Sequence, residues 1–414
     1  MLQKQLANAG ARLRGANPQL LIFLGAVACA GAAAGVFHST INNYLSDTFN
    51  MDARTRGNLE FPRELPGFLT AMFAAGLFRL SPPRLGAVAA VGVGAGTLAL
   101  AFMGHEYAPM VVGLLIWSAG SHLAGPASST LGLQLAGKSG RGRRLGQVSA
   151  TGKVATILGC GVVWLVIKLK PGAYSVLWFA GAGFALAGAF VYLRMRSDAV
   201  DVRRQRAMVF RRRYTLYYIL SILFGARKQV FLTFGPWVLV RIFKQPASTM
   251  ATLGMINNFL GALIQPEVGK AIDRLGERVI LVGEGLALIF VCLGYGYADR
   301  LGLGHGTLYV VCLCYVLDEV LFAVGIARTT YLDKIAIKRE DVTPSLALSV
   351  TLDHAVSMSI PILGGYAWDR YSPATVFLGA AALALVYAGF ASLIRTPPVE
   401  TRLEAPGITA QVAE

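Results

Sequence analysis

Charge is what this chain has least of. Asp, Glu, Lys and Arg supply 14% of its 414 residues, against about 25% in ordinary soluble domains, so a soluble helical protein is a poor fit. Cysteine is scarce as well. Cys29, Cys160, Cys292, Cys312 and Cys314 each sit inside an apolar run, which argues against disulfide and metal roles. A Walker loop, an H-E-x-x-H pair, a nucleophile elbow and paired acids in a polar loop are all missing, which speaks against a membrane-embedded enzyme and leaves no catalytic residue or cofactor to assign. Zinc-finger spacing and RNA-binding aromatic motifs are missing too, so the net charge of +16 does not point to nucleic acid.

What the chain has is apolar length. Hydrophobic residues make up 55% of it, and 47 glycines suit helices that approach closely in lipid. About 20 apolar residues cross a bilayer. Twelve runs qualify: 19–45, 57–79, 84–104, 107–131, 146–168, 172–194, 214–242, 247–270, 278–298, 305–332, 343–368 and 373–395. The first follows Lys4, Arg12 and Arg14 and is too long for a signal-peptide core, so it reads as an uncleaved span. With both termini placed in the cytoplasm, that side receives 25 basic residues and the other eight, which supports an N-in, C-in orientation.

The longest polar interval, Arg194 to Arg213, divides the runs six and six. The expected organisation is a cytoplasmic segment 1–18, a six-helix bundle 19–194, a basic linker 195–213, a second bundle 214–395 and a cytoplasmic tail 396–414. Sparse internal identities, such as Ser149, Thr151 and Ala155 with Ser349, Thr351 and Ala355, fall in corresponding spans, as a duplicated fold requires.

Between spans eight and nine lies Val268-Gly269-Lys270-Ala271-Ile272-Asp273-Arg274-Leu275-Gly276-Glu277-Arg278. It resembles the G-x-x-x-D-R-x-G-x-R loop of the major facilitator superfamily at Gly269, Asp273, Arg274, Gly276 and Arg278. Two further stretches are similar to that family: Arg143-Arg144-Leu145-Gly146-Gln147, like the basic start of its fifth helix, and Pro361-Ile362-Leu363-Gly364-Gly365 on span eleven. The resemblance implies an all-α integral membrane protein with twelve transmembrane helices in two pseudo-symmetric bundles. It also sets Asp273 against the start of span five, near Arg143, Arg144 and Ser149, as a gating contact.

The matching loop of the first half, Phe78 to Gly86, lacks the aspartate. Span eleven begins Glu340-Asp341-Val342-Thr343-Pro344, with local acids, a Thr cap and a proline in the first turn to compensate. Gly159-Cys160-Gly161 in span five lacks the proline of the family's drug-antiporter motif, and Ile116 to Gly120 in span four has no basic residue. Both departures count against drug and proton exchange.

Ionisable groups inside spans are costly and mark function or pairing. Arg227 and Lys228 fall in mid-span seven, Asp318 and Glu319 in mid-span ten, and Asp353 with His354 in the inner half of span eleven. In the family, spans one, four, seven and ten line the cavity, which makes the first four candidates for substrate contact or for an interhelical charge pair. Neighbours on a helix differ by about 100°, so one of each pair faces the cavity and the other pairs sideways. Asp353 and His354 form either a proton shuttle or a pair in which Asp353 neutralises a cation such as Lys228.

His38 and His122 lie on cavity-lining spans, each a ligand or a packing residue. Glu60, Arg63 and Glu64, with Pro62 and Pro66, open span two and suggest either an outer gate or a kinked end with a local ion pair. Asn42, Asn43, Asn257 and Asn258 either touch substrate or join helices.

The resulting expectation is a secondary transporter of a small organic solute in the cytoplasmic membrane. It acts by alternating access, with anionic or zwitterionic cargo favoured and protons as the candidate coupling ion. Export of amphipathic compounds, and a non-transporting sensor or scaffold on the same fold, are the alternatives. Beyond solute, lipid bilayer and protons no partner is expected; the chain reads as a monomer with no metal and no nucleic acid.

Overall fold

The computed structural model describes residues 17–72, 80–136, 141–196 and 209–396. Nearly all of the expected cytoplasmic segment and tail, most of the basic linker, the inner end of span two with Arg79, and Lys138 lie outside the described residues. Among the described residues every regular element is helical.

Helix α1 (Pro18–Phe49) starts where Asn17 accepts the Gln19 N–H at 2.9 Å and Pro18 fills the first turn, and it ends on a left-handed Asn50. Short α2 (Ala53–Asn58), capped by Asp52, leads straight into α3 (Glu60–Met72). Then come α4 (Pro82–Met103), α5 (Tyr107–Gln134), α6 (Arg141–Leu169), α7 (Tyr174–Leu193) and α8 (Thr215–Trp237). Pro236, which offers no N–H to the ladder, precedes a π-helical turn, Val238–Ile242, that closes α8.

The 51-residue α9 (Ala247–Tyr297) is two helices in one: Gly276, at φ 78° and ψ 160°, breaks it inside the charged loop. Only glycine takes that backbone without strain. Span ten, read as one run, is divided into α10 (Gly306–Phe322), a 3₁₀ turn Ala323–Gly325 and α11 (Ile326–Ile335). The last helices are α12 (Arg339–Arg370) and α13 (Pro373–Ala391).

Nine of the described helices, counting α10 and α11 together, are long and apolar enough to cross a membrane. The exceptions among the expected spans are α3, of which 13 residues are described, and α8, which carries Arg227 and Lys228 at its middle. Helix α12 starts earlier than the sequence suggested. Lys338 stands at its N-cap without a side-chain bond, and Thr343 and Pro344 fall inside the helix. Glu340 and Asp341 in the first turn already offset the positive helix end, so no Thr cap is needed.

Helices pack through small residues. A Cβ on Gly159 of α6 would collide with the Ala32 carbonyl of α1, and one on Gly96 of α4 would strike the backbone of α5 at Trp117. The apolar core is distributed unevenly. Towards the end holding residues 50, 104, 243 and 371, here the far end, one large cluster joins both halves of the chain, with Tyr44, Met51, Leu100 and Trp178 alongside Phe234, Trp237, Met250 and Phe377. Towards the end holding residues 17, 196, 209 and 396, the terminal end, the core is split. Phe23, Ala87, Leu131 and Tyr192 form one cluster, and Tyr214, Ile272, Leu281 and Leu332 form another.

Polar contacts follow the same division. Asn43 Nδ2 donates to the Gln245 carbonyl at 2.7 Å, Arg241 to Asn50 Oδ1 at 2.8 Å and the Arg54 amide to Asp369 Oδ2 at 3.2 Å, all towards the far end. Among the described residues, the hydrogen bond between halves nearest the terminal end is His354 with Glu64, and Gly261 of the second half lies against the Lys153 side chain of the first. Ahead of span eleven, Asp341 accepts from Arg211 Nη2 at 2.9 Å and from the Tyr214 hydroxyl at 3.1 Å, tying α12 to the start of α8 within the second half.

Two outcomes follow. Gly159→Leu drives α6 off α1 and lowers stability by about 1–3 kcal/mol, read as a fall in melting temperature in detergent. The Arg211 hydrogen bonds hold the Asp341 carboxyl below the usual carboxylate range. Its stabilisation is therefore complete above about pH 4 and lost as pH falls through the depressed native value. Asp341→Asn flattens that acid limb of the melting profile.

Candidate functional site

A cavity of about 160 Å³ opens between α1, α2, α3, α5, α8 and α10. Helix α1 presents His38 and Asn42, one turn apart, on a single face. His38 is exposed to the cavity and meets Trp117 edge-on at 5.7 Å. Asn42 Oδ1 accepts from Arg56 Nε at 3.2 Å.

Arg56 is the residue that sequence reading missed, having been counted as a loop cation on the outer side. It is buried, ion-paired to Glu60 one turn on, and stands 5.8 Å from the Trp237 ring centroid. The i, i+4 spacing of Arg56 and Glu60 was the available signal. Glu60 has no exposed surface, and its carboxylate takes Arg56 on one oxygen and Arg63 Nη2 (2.5 Å) with Gln229 Nε2 (2.6 Å) on the other. Arg63 continues to Glu64 Oε1 at 2.8 Å, and Glu64 Oε2 faces His354 Nδ1 at 2.9 Å. Of the two readings of this stretch, an outer gate or a kinked end with a local ion pair, the local pairing is what the structure displays, with Glu60 and Glu64 buried and both bound to Arg63.

In the second half, the two neighbours in α8 diverge, but neither is among the residues that line the cavity, where one of the two was expected. Arg227, buried, donates to Asp318 Oδ1 (2.8 Å) on α10 and to Glu284 Oε1 (2.9 Å) on α9. The Tyr387 hydroxyl completes Glu284 at 3.0 Å. Lys228 turns to α12 and pairs with Asp353. Glu284, flanked by Gly283 and Gly285 inside an apolar run, was a visible but unused signal.

Asp318 and Glu319 both line the cavity. Glu319 has no hydrogen bond or ion pair among the described residues. The cavity thus has guanidinium groups of Arg56 and Arg63 contributed by the first half and carboxylates contributed by the second. His122 stands outside that lining, its Nδ1 on the Ser118 carbonyl at 2.8 Å and its ring 4.9 Å from that of His354. Of the asparagines, Asn43 joins the halves, whereas Asn258 Nδ2 bonds its own helix at the Gly254 carbonyl.

The charged loop departs from expectation. Asp273, Arg274 and Arg278 are exposed, and Asp273 has no ion pair among the described residues. Arg144 bonds Gln147 at 2.7 Å instead. No ion pair joins Asp273 to Arg143 or Arg144 among the described residues, and the apolar cores of the two halves are separate towards that end. Glu277 is the loop acid that packs: it is buried and paired with Lys334 of α11 at 2.5 Å. Gly269 has open space around it, and Gly276 makes the turn.

The family profile described as Major Facilitator Superfamily matches residues 64–337, two-thirds of the chain. The chain belongs to the major facilitator superfamily. Its fold is shared with solved transporters of low identity. The nucleoside transporter NupG superposes with a TM-score of 0.73 at 18% identity, over 91% of this chain and 100% of that one. A D-xylose–proton symporter gives 0.70 at 14%, over 92% and 97%. A POT family transporter bound to a thioalcohol-conjugated peptide gives 0.68 at 12%, over 89% and 94%. No curated protein sequence matches the chain.

Removing one partner from a buried ion cluster leaves the others uncompensated, at about 3–5 kcal/mol. Arg227→Ala strands Asp318 and Glu284 and lowers the detergent melting temperature accordingly. The triple change Arg227→Met, Asp318→Leu, Glu284→Leu restores most of the loss.

Proposed function

We propose that this superfamily member is a secondary active transporter of a small organic solute in the cytoplasmic membrane, acting as a monomer by alternating access. In this reading twelve spans form two six-helix bundles, 19–194 and 214–395, with both termini in the cytoplasm. One observation carries it: the charged cavity lies between halves that share a core at the far end and have separate cores at the terminal end. Two bundles rocking about such a cavity expose it to one side at a time. The described form is then the cytoplasm-facing one. The Asn43–Gln245, Arg241–Asn50 and Arg54–Asp369 contacts act as the closed outer gate, supported from within by Glu60, Arg63 and Glu64, and the loop from Gly269 to Arg278 is released.

The wall chemistry favours an anionic or zwitterionic solute. Arg56 and Arg63 offer fixed donors to a carboxylate or phosphate, Asp318 and Glu319 face a cationic group, and Phe37, Phe231 and Tyr315 supply apolar walls. His38 reaches the same space. Glu319, which has no hydrogen bond or ion pair among the described residues, is the candidate carrier of a coupling proton, while Asp353 serves as counter-ion to Lys228. The solved transporters that share the fold are a nucleoside transporter, a D-xylose–proton symporter and a peptide-bound POT family transporter. Efflux of amphipathic compounds is the second reading, favoured by an apolar cavity of about 330 Å³ between α1, α4, α5 and α7.

The test is transport by purified protein in sealed vesicles, with labelled nucleosides, sugars, amino acids and short peptides, with and without an imposed pH gradient. Gradient-driven accumulation is expected, and Glu319→Gln reduces it at least tenfold while leaving the melting temperature unchanged. Movement that ignores the gradient removes the proton. No movement of any solute by folded protein turns the reading to a sensor or scaffold.

A further inference from the structure

At mid-height, where α3, α5 and α12 meet, Glu64, His122 and His354 bring one ligand atom each to within 4.8 Å of the others. Ion pairing and packing explain Glu64 but do not explain two histidines meeting there. Their rings lie 4.9 Å apart at 70°. The Ser118 carbonyl, 2.8 Å from His122 Nδ1, accepts its proton, which leaves the Nε2 lone pair free. That second hydrogen bond is the device by which metal-binding imidazoles are oriented. His354 Nδ1 and Glu64 Oε2 are 2.9 Å apart, about half an ångström closer than two tetrahedral ligands with bonds of about 2.1 Å to one ion.

The backbone is shaped for the cluster. A side chain at Gly67 would meet His122 Nε2 at 2.5 Å and His354 Cε1 at 2.6 Å, so a glycine lets α3 lie against both rings. Arg63 holds the other Glu64 oxygen at 2.8 Å and fixes the carboxylate.

We propose that Glu64, His122 and His354 form a binding site for a divalent d-block cation of the Zn²⁺ type. Two imidazoles and one carboxylate select such an ion over Mg²⁺ or Ca²⁺, which take oxygen ligands. The surrounding charges are already balanced, Glu60, Glu64 and Asp353 against Arg56, Arg63 and Lys228. The cation takes the place of the Nδ1 proton that faces Glu64, and that proton passes to Nε2 of the same ring, so the imidazole stays neutral. Closing the ligands onto the ion takes a movement of about half an ångström. Because Glu64 and His122 come from the first half of the chain and His354 from the second, a bound ion bridges them.

Calorimetric titration of the full chain in detergent with ZnCl₂ tests this directly. One equivalent is expected to bind, and His122→Ala and His354→Ala each weaken the affinity at least tenfold, whereas the exposed His105→Ala does not. Cobalt decides the donor set in the unsubstituted chain, whether or not a variant folds: bound Co²⁺ shows visible d–d bands without a thiolate charge-transfer band. Absence of saturable binding, undiminished affinity in both histidine variants, or a thiolate band overturns the site. None of these readouts depends on transport.

Discussion

Glu60 carries a carboxylate at full burial, and much of the centre of the molecule is arranged around keeping that charge compensated. An isolated ion there is untenable, and each cation brought in to meet it needs compensation in turn. Arg56 and Arg63 supply the compensation, Gln229 supplies the contact to the second half, and Arg63 then requires Glu64, which reaches His354. The chain of pairs runs from the wall of the cavity to α12. The two guanidinium groups that face the cavity are thus fixed by what lies behind them, and their donors are pre-oriented without help from a solute.

The second half solves the same problem with a separate set. Arg227 stands between Asp318 and Glu284, with Tyr387 and Arg328 beyond them. Asp318 belongs both to this cluster and to the cavity wall, whereas its neighbour Glu319 has no such backing among the described residues. Adjacent acids on one helix therefore differ in kind: one is locked into the framework, and the other is available to respond to what enters.

The spans were legible because apolar length is a property of the chain itself, and the loop around Gly276 was legible because a break in an otherwise continuous helix needs a residue tolerant of positive φ. Partners were less so. The sequence placed Arg227, Lys228, Asp318 and Asp353 inside helices, yet which faces which depends on helix rotation and crossing, set by packing elsewhere. Arg56 was missed because the 57–79 apolar run hid the short α2 in front of it. Asp273 was assigned a neighbour that the family motif implies, but a motif does not say in which conformation the contact is made. Glu284 went unread because a single acid between glycines looks like a flaw in a span until its cation is in view.

The division of the core has a thermal consequence. Parting the halves at the far end would bring Tyr44, Met51, Trp237 and Met250 out of a shared apolar cluster, while at the terminal end the two clusters are already separate. Wetting such surface raises heat capacity. Under the proposed alternating access, the balance between forms open at opposite ends is therefore a curved function of temperature, and a rate measured at one temperature will not extrapolate along a straight Arrhenius line to another.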